Sequence, residues 1–200
     1  RGARRDERRP SARVLPGGET GVNRQSLQET ALESGAADSP WADAGHDGVV
    51  FLLDAPDRFE HGLLRDWIES TRPAAEGRDY RLLDLPRNGG GLPGLERLPA
   101  DAWLQPVRVV WLPADRDEGG SLLRDFFFAW TERPSLFGRR RIAKHQPERM
   151  AFVAGQGAPL EDLRRRYRDQ HGADATPAAL ADFVRRQALI TLERAERVAR

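Results

Sequence analysis

The stretch GVVFLLD, residues 48–54, decides the fold that the sequence predicts. It is a continuous apolar run of strand length, and it contains valine and phenylalanine. Gly48 precedes the run, and Asp54-Ala-Pro56 ends it. An apolar run without alternation is typical of a strand that is buried on both faces of a parallel sheet. We therefore predict a buried strand here.

The residues after this strand have the pattern of an amphipathic helix. Asp57 begins D-R-F-E, which resembles a capping box with Glu60 in the third position. Apolar residues then recur at helical spacing: Phe59, Leu63, Leu64, Trp67 and Ile68. We expect this helix to end near Ser70–Arg72, because Pro73 disfavours helical conformation in the residue before it.

The middle of the chain repeats this order. A short strand is expected over Tyr80–Leu85, and residues 86–101, rich in Gly and Pro, are expected to form a loop. VRVVWLP at 107–113 predicts a second strong strand. Ser121 can cap a helix through SLLRDFFFAW at 121–130. The order strand, helix, strand, helix favours parallel pairing with a right-handed crossover. We therefore predict an α/β domain with a small parallel or mixed sheet, flanking helices and further helices at the C-terminal end.

The last third has a different pattern. RRRIAKH at 139–145 and RMAFVAG at 149–155 flank a turn-like Gln-Pro-Glu, which is compatible with a hairpin. Pro159 opens a helix that Gly172 ends. Thr176 caps a long final helix with Pro177 at its first position. The apolar face of that helix comprises Leu180, Phe183, Val184, Ala188, Leu192 and Ala195.

Composition narrows the classes of function. The 200 residues carry 32 Lys and Arg against 31 Asp and Glu, and a net charge of +1 argues against a dedicated nucleic-acid-binding protein. No cysteine is present, which excludes disulfides and thiolate sites. Residues 1–47 hold few large apolar side chains, so we expect a flexible, disordered segment there and a domain over 48–200. A basic arm, RGARRDERR, that contacts phosphates is the weaker interpretation of the first residues.

Two literal motif matches do not fit their structural context. Gly89, Gly91 and Gly94 satisfy G-x-G-x-x-G, but the prolines around them leave no room for the helix that a dinucleotide site needs. His61 and Asp66 satisfy H-x-x-x-x-D, the signature of glycerolipid acyltransferases. Inside one helix their side chains would lie about 140° apart around the axis, so the predicted helix separates them. A helix that began later would restore this pair as a candidate dyad.

No other residues form a catalytic or metal-binding pattern. His46, His145 and His171 lack partners at metal-ligand spacing, so we assign no catalytic, cofactor-binding or metal-binding residue. The densest basic patch is FGRRRIAK at 137–144. It fits either a solvated strand or loop, or a contact with anionic lipid headgroups or an acidic carrier protein.

Several stretches carry a resemblance to a known family. They are LQPVRVVWLP at 104–113, SLLRDFF at 121–127 and the run from Phe152 to Arg200. They resemble the N-terminal region of the PlsB family of bacterial membrane-associated glycerol-3-phosphate 1-O-acyltransferases, ahead of the acyltransferase domain. GVVFLLDAPDRFEHGLLRDW at 48–67 is similar to the first strand and helix of that family. The similarity covers residues 48–200 and is strongest over 104–200.

The resemblance implies a specific activity for a longer parent enzyme. That enzyme would transfer an acyl group from acyl-ACP or acyl-CoA to glycerol 3-phosphate, giving lysophosphatidic acid for CDP-diacylglycerol and phospholipid synthesis. It would be a peripheral protein on the cytoplasmic face of the bacterial inner or plasma membrane, without a metal or organic cofactor. In the family, the catalytic H-x-x-x-x-D and a Phe-x-Glu-Gly-x-Arg block follow this region. FVAGQG at 152–157 lacks the Glu and Arg of that block, so no site residue is carried over.

Two interpretations follow for the whole chain. Arg1 stands where a Met would begin a complete protein, and Arg200 falls within a predicted helix, so we expect an inactive N-terminal piece of an acyltransferase. Its last helix would then expose an apolar face prepared for a further domain. The alternative is a non-catalytic interaction or regulatory module that binds an acidic partner or a membrane surface.

Overall fold

The structure, a computed structural model, describes the following residues: 39–41, 48–73, 79–87, 89–113, 134–172 and 176–200. The helix predicted over 121–130 lies outside the described residues. So does almost all of the segment 1–47, for which flexibility is predicted.

The described helices and strands occur in this order: β1 Val49–Asp54, α1 Arg58–Ser70, β2 Tyr80–Asp84, β3 Trp103–Trp111, α2 Leu136–His145, β4 Met150–Ala154, β5 Ala158–Pro159, α3 Leu160–His171 and α4 Pro177–Ala199. Short 3₁₀ turns at Leu95–Arg97 and Pro147–Arg149 precede β3 and β4. The chain is thus an α/β domain, as the sequence predicts.

The sheet is small and mixed. Its strand order is β2-β1-β3-β4, and β5 also pairs with β3. β1 runs parallel to both β2 and β3, whereas β4 and β5 run antiparallel to β3. The parallel centre confirms the pattern of GVVFLLD, and the antiparallel β4 and β5 make this the mixed form of the small parallel or mixed sheet that the sequence predicts.

Side chains of β1 alternate between two cores, so the sheet lies between two layers. Phe51 and Leu53 face the core that α1 and α2 cover. Val50 and Leu52 face the core formed with α3, α4 and the loop between β2 and β3. All six residues of β1 are buried, which explains why its sequence is apolar throughout.

The ends of α1 and α3 follow the sequence signals closely. The Asp57 carboxylate accepts hydrogen bonds from the backbone N–H of Phe59 at 2.9 Å and of Glu60 at 3.1 Å. α1 ends at Ser70, within the expected range. Gly172, with φ of 81°, follows the last residue of α3, in the left-handed region that favours glycine. Thr176 caps α4 by accepting from the N–H of Ala179 at 3.2 Å.

Two predictions around the basic patch are wrong. Residues 136–145 form a helix, not the first arm of a hairpin or a loop, because Ser135 caps the first turn and Ile142 and Ala143 bury its inner face. β4 pairs with β3 instead. β3 also begins at Trp103, four residues before the predicted start. Pro106 lies inside this strand, where proline is normally disfavoured.

The apolar face of the final helix is covered, contrary to the expectation that it would be exposed. Buried residues of α4 pack against the sheet and α3: Ala181, Phe183, Val184, Ala188 and Leu192. The rings of Phe183 and Tyr167 meet edge to face at 5.3 Å. The sheet of this same domain therefore supplies the partner surface.

Trp41, which belongs to the segment 1–47, lies in the core beside α1. Its indole N–H donates to the carbonyl of Ile68 at 3.1 Å. Its ring meets Phe51 and Tyr80 edge-on, with centroids 4.9 and 5.8 Å apart. Trp41 therefore stabilises the attachment of α1 to β1 and β2.

Candidate functional site

Buried charges gather at the carboxyl end of the parallel strands. Asp54, the last residue of β1, lies beside Arg108 of β3 and is 1% exposed. Arg108 donates to the Asp54 carboxylate at 2.6 Å, and Arg87, from the loop after β2, donates to its other oxygen at 2.9 Å. Buried charges are tolerated only when they are paired and hydrogen-bonded. These pairs therefore tie the end of β1 to the interior of β3 and to the loop after β2.

The same cluster holds the end of α4 on the sheet. A second nitrogen of Arg108 donates to Glu196 of α4 at 2.7 Å, and Arg200 donates to the other oxygen of Glu196 at 2.8 Å. Partial burial by itself would raise the pKa of Glu196, but the hydrogen bonds from Arg200 and Arg108 outweigh it and hold that pKa below its usual value. Each of these guanidinium groups is paired with a carboxylate. The cluster therefore has a structural role, which is to hold α4 against the sheet, and we call it the latch.

A second cluster attaches α2 to the other layer. Arg139 of α2 bonds to Glu60, and it also reaches Asp57 at 2.7 Å. Glu60 accepts a further hydrogen bond from the indole of Trp111 at 2.9 Å. Burial raises the pKa of Glu60, although Trp111 and Arg139 oppose that shift. The Glu60 side chain thus bonds to Trp111 of β3 and to Arg139 of α2. It does not complete the capping box, in which it would bond to the backbone N–H of Asp57.

The side of α2 that faces away from this cluster is exposed to solvent. We define the outward face of α2 as Leu136, Phe137, Arg140, Arg141 and Lys144, all of which are exposed. At roughly 100° per residue, these five side chains fall within an arc of about 140°. The buried residues of α2, which are Gly138, Ile142 and Ala143, lie outside this arc. The structure therefore presents three cations and two apolar side chains together.

The apolar part of this face is well exposed. Phe137 is 74% exposed and Leu136 is 41% exposed. The guanidinium of Arg140 lies over the ring of Phe59, 5.7 Å from its centroid. This contact fixes one of the three cations beside α1. Exposed aromatic and cationic residues on one helix face are typical of a contact surface.

His61 and Asp66 are not brought together. The imidazole of His61 lies 3.6 Å from Asp84 of β2, and Asp66 lies 3.7 Å from Arg65. Both residues are inside α1, which begins at Arg58. The start of the helix therefore favours the interpretation of two separate surface residues over a catalytic dyad.

The glycine-rich segment does not lead into a dinucleotide site. Gly94 precedes a three-residue 3₁₀ turn, not an α-helix, and has a φ of 84°. Gly91 lies against α4, where a Cβ would come within 2.6 Å of the Ala181 methyl group. The segment thus packs as a loop against the core formed with α3 and α4, and it is a loop as the sequence predicts.

The remaining histidines do not gather other metal ligands. His145 ends α2, and His171 packs its ring against Tyr167 with centroids 4.7 Å apart. Across the described ranges, no group of three or more His, Cys, Asp or Glu is placed to hold a metal ion. His46 lies outside the described residues.

An open cleft lies between α3, α4 and the start of β5. Its volume is about 50 Å³, and its rim carries Gln156, Arg166 and Gln187. The walls are mainly apolar, including Leu104 and Val184. Its lining has hydrogen-bond donors and acceptors but neither a carboxylate nor an imidazole, so general acid–base catalysis has no candidate group there.

No family model matches the chain, and no solved structure is significantly similar to it. None of the helices that the structure describes is both long and apolar enough to cross a membrane.

Sequence reasoning missed the two buried charge clusters. The signal was present, because Asp54 ends one apolar run and Arg108 interrupts another. A charged residue inside an apolar strand must find a partner. Which partner it finds depends on strand register and helix position, which local patterns do not specify.

Proposed function

We propose that the chain is the N-terminal accessory domain of a bacterial glycerol-3-phosphate 1-O-acyltransferase. The parent enzyme transfers an acyl group from acyl-ACP or acyl-CoA to glycerol 3-phosphate at the cytoplasmic face of the inner membrane. The chemistry is carried out by a separate acyltransferase domain. The 200 residues by themselves have no transfer activity in this proposal.

The observation that supports the proposal is where the resembling stretches lie in the fold. LQPVRVVWLP contains most of β3, which pairs with β1, β4 and β5. The run from Phe152 to Arg200 supplies β5, α3, α4 and most of β4. These elements share one core. The similarity therefore falls on a physically connected part of the domain.

The test is acyl transfer to labelled glycerol 3-phosphate in the presence of liposomes. The longer parent enzyme and the 200-residue chain are assayed side by side with acyl-ACP and acyl-CoA. The proposal expects transfer by the parent enzyme alone. Transfer by neither protein would contradict it. Transfer by the 200-residue chain would contradict the accessory role.

His61→Ala in the parent enzyme tests whether this motif match has a catalytic role. The imidazole lies beside Asp84 and not beside Asp66, so we expect kcat and KM to stay unchanged. His145→Ala is the matched control, because His145 is also a helical histidine and is exposed. A loss of kcat with His61→Ala alone would restore the dyad.

The second candidate function is a non-catalytic module that binds an acidic partner or a membrane surface. The outward face of α2 favours it, because three cations and an exposed phenylalanine share one arc. An interaction function without any acyltransferase predicts that no acyl transfer accompanies this chain in its parent protein.

A further inference from the structure

We propose that the outward face of α2 docks on an anionic lipid bilayer. Phe137 and Leu136 enter the boundary between headgroups and acyl chains, while Arg140, Arg141 and Lys144 contact lipid phosphates. The inference stands on the geometry of α2, and it rests on the proposed function only for the presence of a membrane. It adds the surface and the lipid charge that the proposed function leaves open.

The charge of α2 is divided between two sides of the helix. Arg139 is directed inward and is neutralised by Asp57 and Glu60. Arg140, Arg141 and Lys144 are exposed, and α2 itself contains no acidic residue. Glu148 in the following turn is the nearest exposed acid in sequence. Each cation held at an anionic surface strengthens binding by roughly five-fold.

The exposed phenylalanine gives this face an apolar element beyond electrostatic attraction. Phe137 projects from the first turn of α2 with three quarters of its surface in water. Transfer of a phenylalanine side chain from water to an apolar medium favours binding by roughly ten-fold or more. Interfacial helices combine these features, with cations along the polar side and Phe or Leu toward the acyl chains.

A bilayer fits this face better than an acidic protein does. The face comprises five side chains, whereas a stable protein interface uses roughly 20–30 residues on each side. The described cleft, which a partner side chain could fill, is lined by β3, α3 and α4 and not by α2. The outward face of α2 instead matches a bilayer. Its projecting phenylalanine can enter the apolar interior, and its cations can contact the phosphates at the surface.

The first test is co-sedimentation of the 200-residue chain with vesicles of phosphatidylcholine, with or without phosphatidylglycerol. We expect binding only to the anionic vesicles. Phe137→Ser should weaken it by roughly ten-fold or more, and the triple change Arg140→Gln, Arg141→Gln, Lys144→Gln by roughly 100-fold. No binding by the unaltered chain would overturn the inference.

The matched control removes the same charge from another helix. Arg165→Gln, Arg166→Gln and Arg168→Gln on α3 change three exposed arginines. This control should retain vesicle binding within about two-fold if position, and not net charge, determines docking. An equal loss in both triple variants would overturn the inference. Far-UV circular dichroism of each variant verifies that the fold is retained.

A unique label tests insertion directly. The chain contains no cysteine, so Phe137→Cys creates a single attachment site for an environment-sensitive fluorophore. Its emission should shift to the blue with anionic vesicles and remain that of a hydrated probe without them. Ile190→Cys on α4 is the control site and should not respond. A probe at 137 that is shielded from water without vesicles, or unresponsive to them, refutes insertion.

Competition separates a bilayer from other anions. Soluble inorganic phosphate and an acidic protein should not displace the chain from vesicles at matched ionic strength. Displacement by either would assign the face to that ligand and overturn the inference. Acyl transfer by the parent enzyme is measured separately, in detergent. If the unaltered chain does not bind vesicles while the parent enzyme transfers acyl groups, the docking surface alone is rejected. If the chain binds vesicles but the parent enzyme shows no acyl transfer, the proposed function alone is rejected.

Discussion

Replacing Arg108 by Met tests whether the buried ion pairs hold α4 on the sheet. Methionine fills much of the same volume but removes the charge. The Arg108 side chain is 8% exposed and joins Asp54 to Glu196. Without it, Asp54 retains Arg87 on one oxygen, and Glu196 retains Arg200. Removing one partner of a buried pair costs about 3–5 kcal/mol, because an uncompensated charge stays buried.

The assay is urea unfolding of the 200-residue chain at neutral pH, followed by far-UV circular dichroism. With a slope of about 2 kcal/mol per molar urea, the expected loss lowers the midpoint by about 1.5–2.5 M. Arg165→Met is the control, because Arg165 is exposed and pairs with Asp162 on the surface of α3. We expect its free energy of unfolding to stay within about 0.5 kcal/mol of the unaltered chain.

A double-mutant cycle shows whether the loss arises from the pair. Asp54→Leu combined with Arg108→Met removes both charges, so the double variant should be more stable than the sum of the single losses predicts. A coupling energy above about 1 kcal/mol is expected for residues in direct contact. Strict additivity, or an Arg108→Met variant within about 1 kcal/mol of the original, would refute the assignment of the cluster as a latch.

Three further changes test the core, one carboxylate and one close backbone approach. Trp41→Ala should lower the free energy of unfolding by about 3–5 kcal/mol; an effect below about 1 kcal/mol in urea unfolding would exclude Trp41 from the core. The pKa of Glu196 is lowered in the fold, so its stabilisation is present above the unfolded value and is lost as pH falls through the folded value. Glu196→Gln should therefore reduce the dependence of the free energy of unfolding on pH at acid pH. If urea unfolding below pH 4.5 gave the same pH dependence for the variant and the unaltered chain, this prediction would be contradicted. Gly157→Ala should destabilise the fold, because a Cβ would collide with Gln105. Gly62→Ala, in open space on α1, should stabilise it by about 0.5–1 kcal/mol. If thermal unfolding showed that both variants change the stability in the same direction, the close approach at Gly157 would be refuted.

Elements with strong local signals are predicted well by the sequence. β1 has an unbroken apolar run, and α1 has both a capping aspartate and a helical period. α3 follows Pro159 and ends before Gly172, and α4 begins after Thr176 with Pro177 in its first position, as expected. In each case the local pattern and the tertiary burial agree, so short-range reasoning is sufficient.

Elements whose form depends on tertiary partners are not predicted. RRRIAKH contains too few apolar residues to distinguish a helix from a strand. Burial of Ile142 and Ala143 in the core that α1 and α2 cover stabilises the helix. The extension of β3 through Pro106 depends on pairing with β1. The covered face of α4 likewise follows from the sheet being within reach. Propensity is a weak guide where such contacts dominate.

The way α2 is attached separates its fold from its outward face. Ile142 and Ala143 supply the buried contacts, and Arg139 supplies the ionic ones through Asp57 and Glu60. None of these residues belongs to the outward face. Substitutions at Phe137 or the three exposed cations therefore leave these buried and ionic contacts intact. Replacing Arg140 removes its contact with the Phe59 ring, which is worth about 0.5–1 kcal/mol at an exposed site. Arg139→Met, in contrast, would release the helix from α1. A docking surface on a rigid support requires a particular pattern. Variants of the outward face should lose vesicle binding with nearly unchanged unfolding, and Arg139→Met should lose stability.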